Sequence, residues 1–177
     1  MRVLKYHVAL TVDGFIAHED GSADGFVYEG EHVTEYLESL RNDYDVVLMG
    51  HRTYEFGFQY GVSDPYPWIK QYVFSRTMER SPDPNVELVS ENVVDLVRGL
   101  KEETGKAIYL CGGADLAATL FSEGLVDEII LKLNPVVFGS GLPLFSRAVE
   151  QTDLELADSK TYGNGVVLLR YRVRGSA

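Results

Sequence analysis

Short apolar runs alternate along this chain with segments of helical period, and that alternation constrains the fold more than any other feature. Val3 to Val12, Asp45 to Met49, Gln71 to Phe74, Val86 to Val89, Ala107 to Leu110 and Val126 to Leu133 are strand-like. Most are bounded by Gly, Asp, Ser or Pro. Between them, Glu31 to Arg41 spaces Val33, Tyr36, Leu37 and Leu40 by threes and fours, which predicts an amphipathic helix. Val93, Leu96, Val97 and Leu100 predict a second, capped by Ser90 or Asn92 and stopped by Gly105. Leu116, Leu120 and Phe121 predict a third, closed by Gly124, and Arg52 to Gly57 opens a further one. His18 to Gly30 and Gly61 to Trp68 read as loops. Strands separated by helices need crossover connections, so the fold class is α/β, with a mostly parallel sheet covered on both faces. Leu154 to Thr161 and Val166 to Val173 alternate across Gly163-Asn164-Gly165, which predicts an antiparallel C-terminal hairpin at one edge. The expectation is one domain over residues 1–177.

Charge narrows the function. With 16 Lys and Arg against 27 Asp and Glu, the formal net charge is −11. A duplex or an anionic membrane needs a basic face, so neither is an expected partner. Cys111 is the one cysteine, which rules out an internal disulfide and makes a reducing compartment the expected home. Met1 to Leu10 reads as a strand rather than a signal peptide, so a cytoplasmic location is expected. His7, His18, His32 and His51 show no metal-ligand spacing, and no metal is expected. A G-x-S-x-G elbow is absent, which disfavours a serine hydrolase.

In an open α/β sheet, ligands bind beyond the carboxyl ends of the strands. Four such ends carry residues with chemistry. Gly112-Gly113 precedes a helix start at Ala114, where two glycines let a phosphate approach the backbone; the alternative is a tight turn. Gly50-His51-Arg52-Thr53 repeats that arrangement with a charge and a hydroxyl, or else holds a solvated Arg and a plain cap. Arg76 after Ser75 can pair with a phosphate or with a surface carboxylate. Asp13 before Gly14 is either a turn aspartate or a carboxylate that relays a proton. Cys111 reads as a small packed hydrophobe rather than a nucleophile. The aromatic stretch Tyr54, Phe56, Phe58, Tyr60, Tyr66 and Trp68 can line a pocket for a flat ring, cover a dimer interface, or pack as satellite core. Between Tyr6 and Leu40 there is no Lys or Arg, but there are eight acids: Asp13, Glu19, Asp20, Asp24, Glu29, Glu31, Glu35 and Glu38. Their summed field is expected to disfavour an anionic substrate.

The motifs Cys111 to Leu116, Glu123 to Glu128 and Asn134 to Phe145, with the opening Leu10 to Ala17, resemble the RibD C-terminal domain family. That family is the riboflavin-biosynthesis branch of the dihydrofolate reductase fold. Met49 to Glu55 resembles the phosphate-binding strand–helix junction of dihydrofolate reductases. The resemblance implies a three-layer αβα, dihydrofolate-reductase-like domain that binds NADPH and transfers a hydride. By position, Gly112, Gly113, Asp115 and Leu116 would cradle the cofactor phosphates, and Gly50, Arg52 and Thr53 would hold the pyrophosphate. Ser75, Arg76 and His51 would meet the 2′-phosphate, and Ala9 and Ile16 would border the nicotinamide. Asp13 would be the catalytic residue. The substrate-facing position of the first helix falls near Thr34 and Glu35, with Tyr54 contributing from the aromatic stretch. A cis peptide between Gly112 and Gly113 is also implied. The expected function is reduction of a small heterocycle by NADPH. The alternatives are 5-amino-6-(5-phosphoribosylamino)uracil reductase, dihydrofolate reductase, or an NADPH-binding module without turnover. A homodimer is expected, because the hairpin leaves long strands at a sheet edge and relatives commonly pair.

Overall fold

The structure, a computed structural model, describes residues 1–175, so the last two positions of the expected domain lie outside it. The parallel strands are β1 (Leu4–Thr11), β3 (Tyr44–Gly50), β4 (Lys70–Phe74), β5 (Val86–Val89), β6 (Ala107–Gly112) and β7 (Glu128–Asn134). The hairpin β9 (Leu154–Thr161) and β10 (Val167–Val173) completes an eight-stranded sheet of order β5-β4-β3-β6-β1-β7-β10-β9. Only β10 and β9 run antiparallel to their neighbours, as the sequence pattern predicts. The helices are α1 (Glu31–Asn42), α2 (His51–Glu55), α3 (Val93–Glu102) and α4 (Ala114–Ser122), and a 3₁₀ segment at Phe56–Tyr60 extends α2.

Side chains alternate across each strand, so each strand feeds two layers. Leu4, Tyr6, Val46, Leu48, Ile108 and Leu110 pack with Val97 and Leu100 of α3 and Leu116 and Leu120 of α4. Val47, Met49, Val73 and Tyr109 pack on the other face with Leu40 of α1 and Tyr54 of α2. The result is the three-layer αβα arrangement.

Some local expectations are corrected. A second small sheet joins β2 (Phe15–Ala17) to β8 (Leu142–Pro143), and three- and two-residue strands leave no periodic signal. Asn92 stands at the head of α3 in the left-handed region, with φ 55, and makes no side-chain cap. Gly105 does not stop α3. It lies against Arg2 and Asp45, where a Cβ would come 2.6 Å from Asp45 Oδ2 and 2.9 Å from Arg2 Cζ. β7 begins at Glu128 rather than Val126, because Asp127 turns its carboxylate to the Leu4 amide at 2.7 Å and to Lys101 Nζ at 2.5 Å.

Candidate active site

The carboxyl ends of β3 and β6 meet through glycine. A Cβ on Gly50 would lie 3.1 Å from the Gly113 amide nitrogen and 3.6 Å from the Gly112 carbonyl oxygen. A Cβ on Gly113 would lie 3.2 Å from Thr53 Oγ1. The Gly112–Gly113 peptide is cis. Gly113 heads α4, whose first amides, on Ala114, Asp115 and Leu116, have no partner within the helix. They present a positive dipole end. The Leu116 side chain is buried in the core, so only its backbone can serve a ligand. The Asp115 carboxylate turns to Arg147 Nη1 at 2.8 Å and accepts from Ser146 Oγ at 3.2 Å.

Around this cradle, α2 carries Arg52, which is exposed and has no carboxylate partner among the described residues. His51 Nδ1 hydrogen-bonds with Ser75 Oγ at 3.0 Å and Thr77 Oγ1 at 3.2 Å. Ser75 Oγ also accepts from the Thr77 and Met78 amides, which fixes the loop after β4. Arg76 projects from that loop, exposed and likewise without an ion pair among the described residues. Gly50, His51, Thr53, Ser75, Gly112 and Gly113 are thus brought together at one edge, with two uncommitted guanidinium groups beside them.

Asp13, which the resemblance implies is the catalytic residue, stands at the turn between β1 and β2. Its carboxylate accepts from Thr11 Oγ1 at 2.6 Å, the Gly139 amide at 2.7 Å and the Phe138 amide at 3.1 Å. Chiefly the Thr11 hydroxyl, and then the two amides, hold it below the usual carboxylate range. A carboxylate with these donors stays ionised and clamps the β1–β2 turn to the loop after β7. Ala9 and Ile16 are half-buried, on β1 and β2.

The face of the sheet beneath α1 holds what the sequence reading missed. A cavity of about 130 Å³ opens there, lined by Lys5, His7, Tyr36, Lys132 and Arg170 among others. His7 is buried, and neither ring nitrogen has a hydrogen-bond partner among the described residues. Burial, reinforced by the charges of Lys132, Arg170 and Lys5, lowers its pKa to about 3, so it is neutral. The Tyr36 ring stands edge-on to His7 at 5.0 Å, and its hydroxyl shares a 2.7 Å hydrogen bond with that of Tyr109. The Tyr66 hydroxyl lies 3.6 Å from Cys111 Sγ, and burial pushes the thiol up, so it is no thiolate nucleophile.

Of the expected substrate contacts, Glu35 lines this cavity, but its carboxylate is engaged by Lys160 and by the Tyr162 hydroxyl at 2.6 Å. Thr34 faces solvent. Tyr54 is 1% exposed, packs in the core and donates to the Ser63 carbonyl at 2.6 Å, so it does not reach the cavity. The aromatic stretch therefore divides: Tyr54 is core, Tyr66 joins the Tyr109 cluster at 5.9 Å, and Phe56, Tyr60 and Trp68 are exposed. His7, Lys132 and Arg170 had one signal in the sequence. Each is a basic residue that shares one face of its strand with another charged residue: Lys5 with His7, Glu128 with Lys132 and Arg172 with Arg170.

Residues 2–168 match the RibD C-terminal domain family. The chain belongs to that family. An uncharacterised Bacillus subtilis protein, YyaP, is 33% identical over 180 residues, covering 95% of this chain and 93% of its own length. Among solved structures, a Shewanella sp. PV-4 protein named for riboflavin biosynthesis superposes with a TM-score of 0.82 at 23% identity, over 98% of this chain and 99% of that one. A pyrimidine reductase-like protein of Corynebacterium diphtheriae gives 0.68 at 17% identity, over 97% and 92%. The fold is therefore that of the RibD C-terminal and dihydrofolate-reductase-like domains.

Proposed function

We propose that this RibD-family domain is an NADPH-dependent reductase acting on a small heterocycle. One observation carries the reading: the ends of β3 and β6 approach so closely that a Cβ on Gly50 would press on the Gly113 amide, with Arg52 and Arg76 beside them and without an ion pair among the described residues. An all-glycine approach of two strand ends to a helix start suits a diphosphate, because without Cβ atoms the backbone N–H groups can come close to the phosphate oxygens. Thr53 and Arg52 would hold the pyrophosphate. Arg76, on the loop fixed by Ser75 and His51, would take the 2′-phosphate. The reduced nicotinamide supplies a hydride when bound. Ala9 and Ile16, apolar and half-buried, would border its ring. On the α1 side, Tyr36 and Tyr109 keep their hydroxyl protons, since burial pushes both well above the ordinary phenol value. Tyr36, which lines the cavity, would orient a substrate as a hydrogen-bonding group rather than as a titrating acid. Asp13 fixes the turn that leads into β2.

The test is NADPH oxidation by the full chain across a panel of pterins, pyrimidines and other heterocycles. Steady oxidation with any of them supports a reductase. Tight NADPH binding without turnover on the panel favours a binding module instead. A homodimer is part of the same proposal. β9 is a sheet edge that exposes Leu154 and Leu156, and light scattering at twice the 19.8 kDa chain mass would support pairing.

A further inference from the structure

The chain has six lysines, and Lys132 is the one whose amine meets no oxygen among the described residues. Lys5 pairs with Glu128, Lys70 with Glu87, Lys101 with Asp127, and Lys160 with Glu31 and Glu35. Lys106 donates to the Arg41 carbonyl oxygen at 3.4 Å. Lys132 instead places its Nζ 4.6 Å from the centroid of the Tyr36 ring. A ring face attracts an ammonium, but it is no counter-ion.

The surroundings disfavour a charge on that amine. Lys132 lies half-buried on β7 and lines the cavity beneath α1. Beside it the cavity takes Lys5 and His7 from β1 and Arg170 from β10. Two acids also line it. Glu35 of α1 is engaged by Lys160 and Tyr162, and Asp43, which caps α1, is exposed. Burial lowers the pKa of the Lys132 amine, opposed by the Cys111 thiol of β6. The share of free amine is therefore larger than for a lysine in water. A desolvated lysine amine is a nucleophile, and its usual target is a carbonyl carbon. The cavity, at about 130 Å³, approaches the roughly 150 Å³ known to hold one benzene ring. The Tyr36 ring beside the amine offers a face on which a second ring can stack.

We propose that Lys132 is a covalent capture site for small aromatic aldehydes, which it holds as an imine. The amine nitrogen attacks the carbonyl carbon and a C–N bond forms. One amine proton passes to the carbonyl oxygen. The hydroxyl so made then leaves as water with the second amine proton, and a C=N bond remains. Nothing is oxidised or reduced, so neither NADPH nor the reductase reading enters the step. Restricted access of water to a half-enclosed cavity slows the reverse hydrolysis. The imine fills the cavity, so an aldehyde and any other ligand of the cavity exclude each other.

The experiment incubates the full chain with benzaldehyde and sodium cyanoborohydride, which reduces an imine to a stable benzylamine. Peptide mass spectrometry then locates the modified lysines. At about pH 7, Lys132 should be labelled at least about tenfold faster than the exposed Lys70 and Lys106. Raising the pH to about 9 should narrow that preference, because the exposed amines gain free base. Unfolding in urea should abolish it. Lys132→Arg should remove the selective adduct and leave the labelling of Lys70 and Lys106 unchanged. Labelling of Lys132 no faster than that of Lys70 and Lys106 in the folded parent would overturn the proposal, and so would a preference that survives urea. Both of these comparisons use the parent alone, so they stand even if the variant fails to fold. Selective labelling in a protein that oxidises no NADPH with any heterocycle removes the reductase reading and keeps the imine site. Turnover without selective labelling removes only the imine site.

Discussion

Acid should unfold this protein sooner than a variant lacking His7. The imidazole sits at a pKa of about 3 in the folded chain, held there first by burial and then by Lys132, Arg170 and Lys5. In the unfolded chain it returns to about 6.5. Below that value the unfolded state takes up a proton that the folded state refuses. Stability therefore falls as pH drops from about 6.5 toward about 3, and is fully present above 6.5. At 1.36 kcal/mol per pKa unit, the loss between pH 7 and pH 4 is roughly 3 kcal/mol. Solvent screening does not reduce this much, because the ring is buried. Urea unfolding of the parent and of His7→Leu at both pH values isolates the effect, since the titration of the carboxylates is common to both proteins and cancels. The parent should lose about 3 kcal/mol more than the variant. A difference under about 0.5 kcal/mol, the usual limit of additivity, would refute the buried neutral histidine.

Gly50→Ala should cost about 1–3 kcal/mol, because its Cβ would crowd the Gly113 amide at 3.1 Å. It should also weaken NADPH binding, and a melt plus a fluorescence titration reads both. Asp13→Asn should lower the melting temperature and leave the shape of the pH–rate profile unchanged, because the carboxylate clamps the Gly139 and Phe138 amides. Loss of a pH limb would restore it as an acid–base group. Asp127→Ala should destabilise by about 3–5 kcal/mol in chemical unfolding, since it strands the Lys101 ammonium, whose side chain is 5% exposed.

The sheet and its helices were legible because period and punctuation agree. β3, β4, β5 and β6 each end where a glycine, serine or turn cluster interrupts an apolar run. The cradle was legible for a related reason. Glycine pairs and an Arg at strand ends are local signals, and local signals survive in one dimension. The cavity was not legible, because its floor is assembled from β1, β7 and β10, with Arg170 lying 163 positions after His7. A charge count over one segment, such as the acidic stretch to Leu40, cannot register a lysine that arrives from β9. Tyr54 misled for the opposite reason. It sits at a suggestive place in the chain, but burial turns it into core. β2 and β8 are too short to carry a period at all.

The central claim, an NADPH site at the glycine edge, is tested most directly by titrating NADPH and NADH into the full chain and into Arg76→Ala. A charge-assisted bond from Arg76 to the 2′-phosphate is worth roughly 1.5–3 kcal/mol, or about 10- to 150-fold in affinity. The account predicts NADPH preferred by that factor in the parent, with the preference largely lost in the variant. Equal affinities for the two cofactors, unchanged by the substitution, would contradict it.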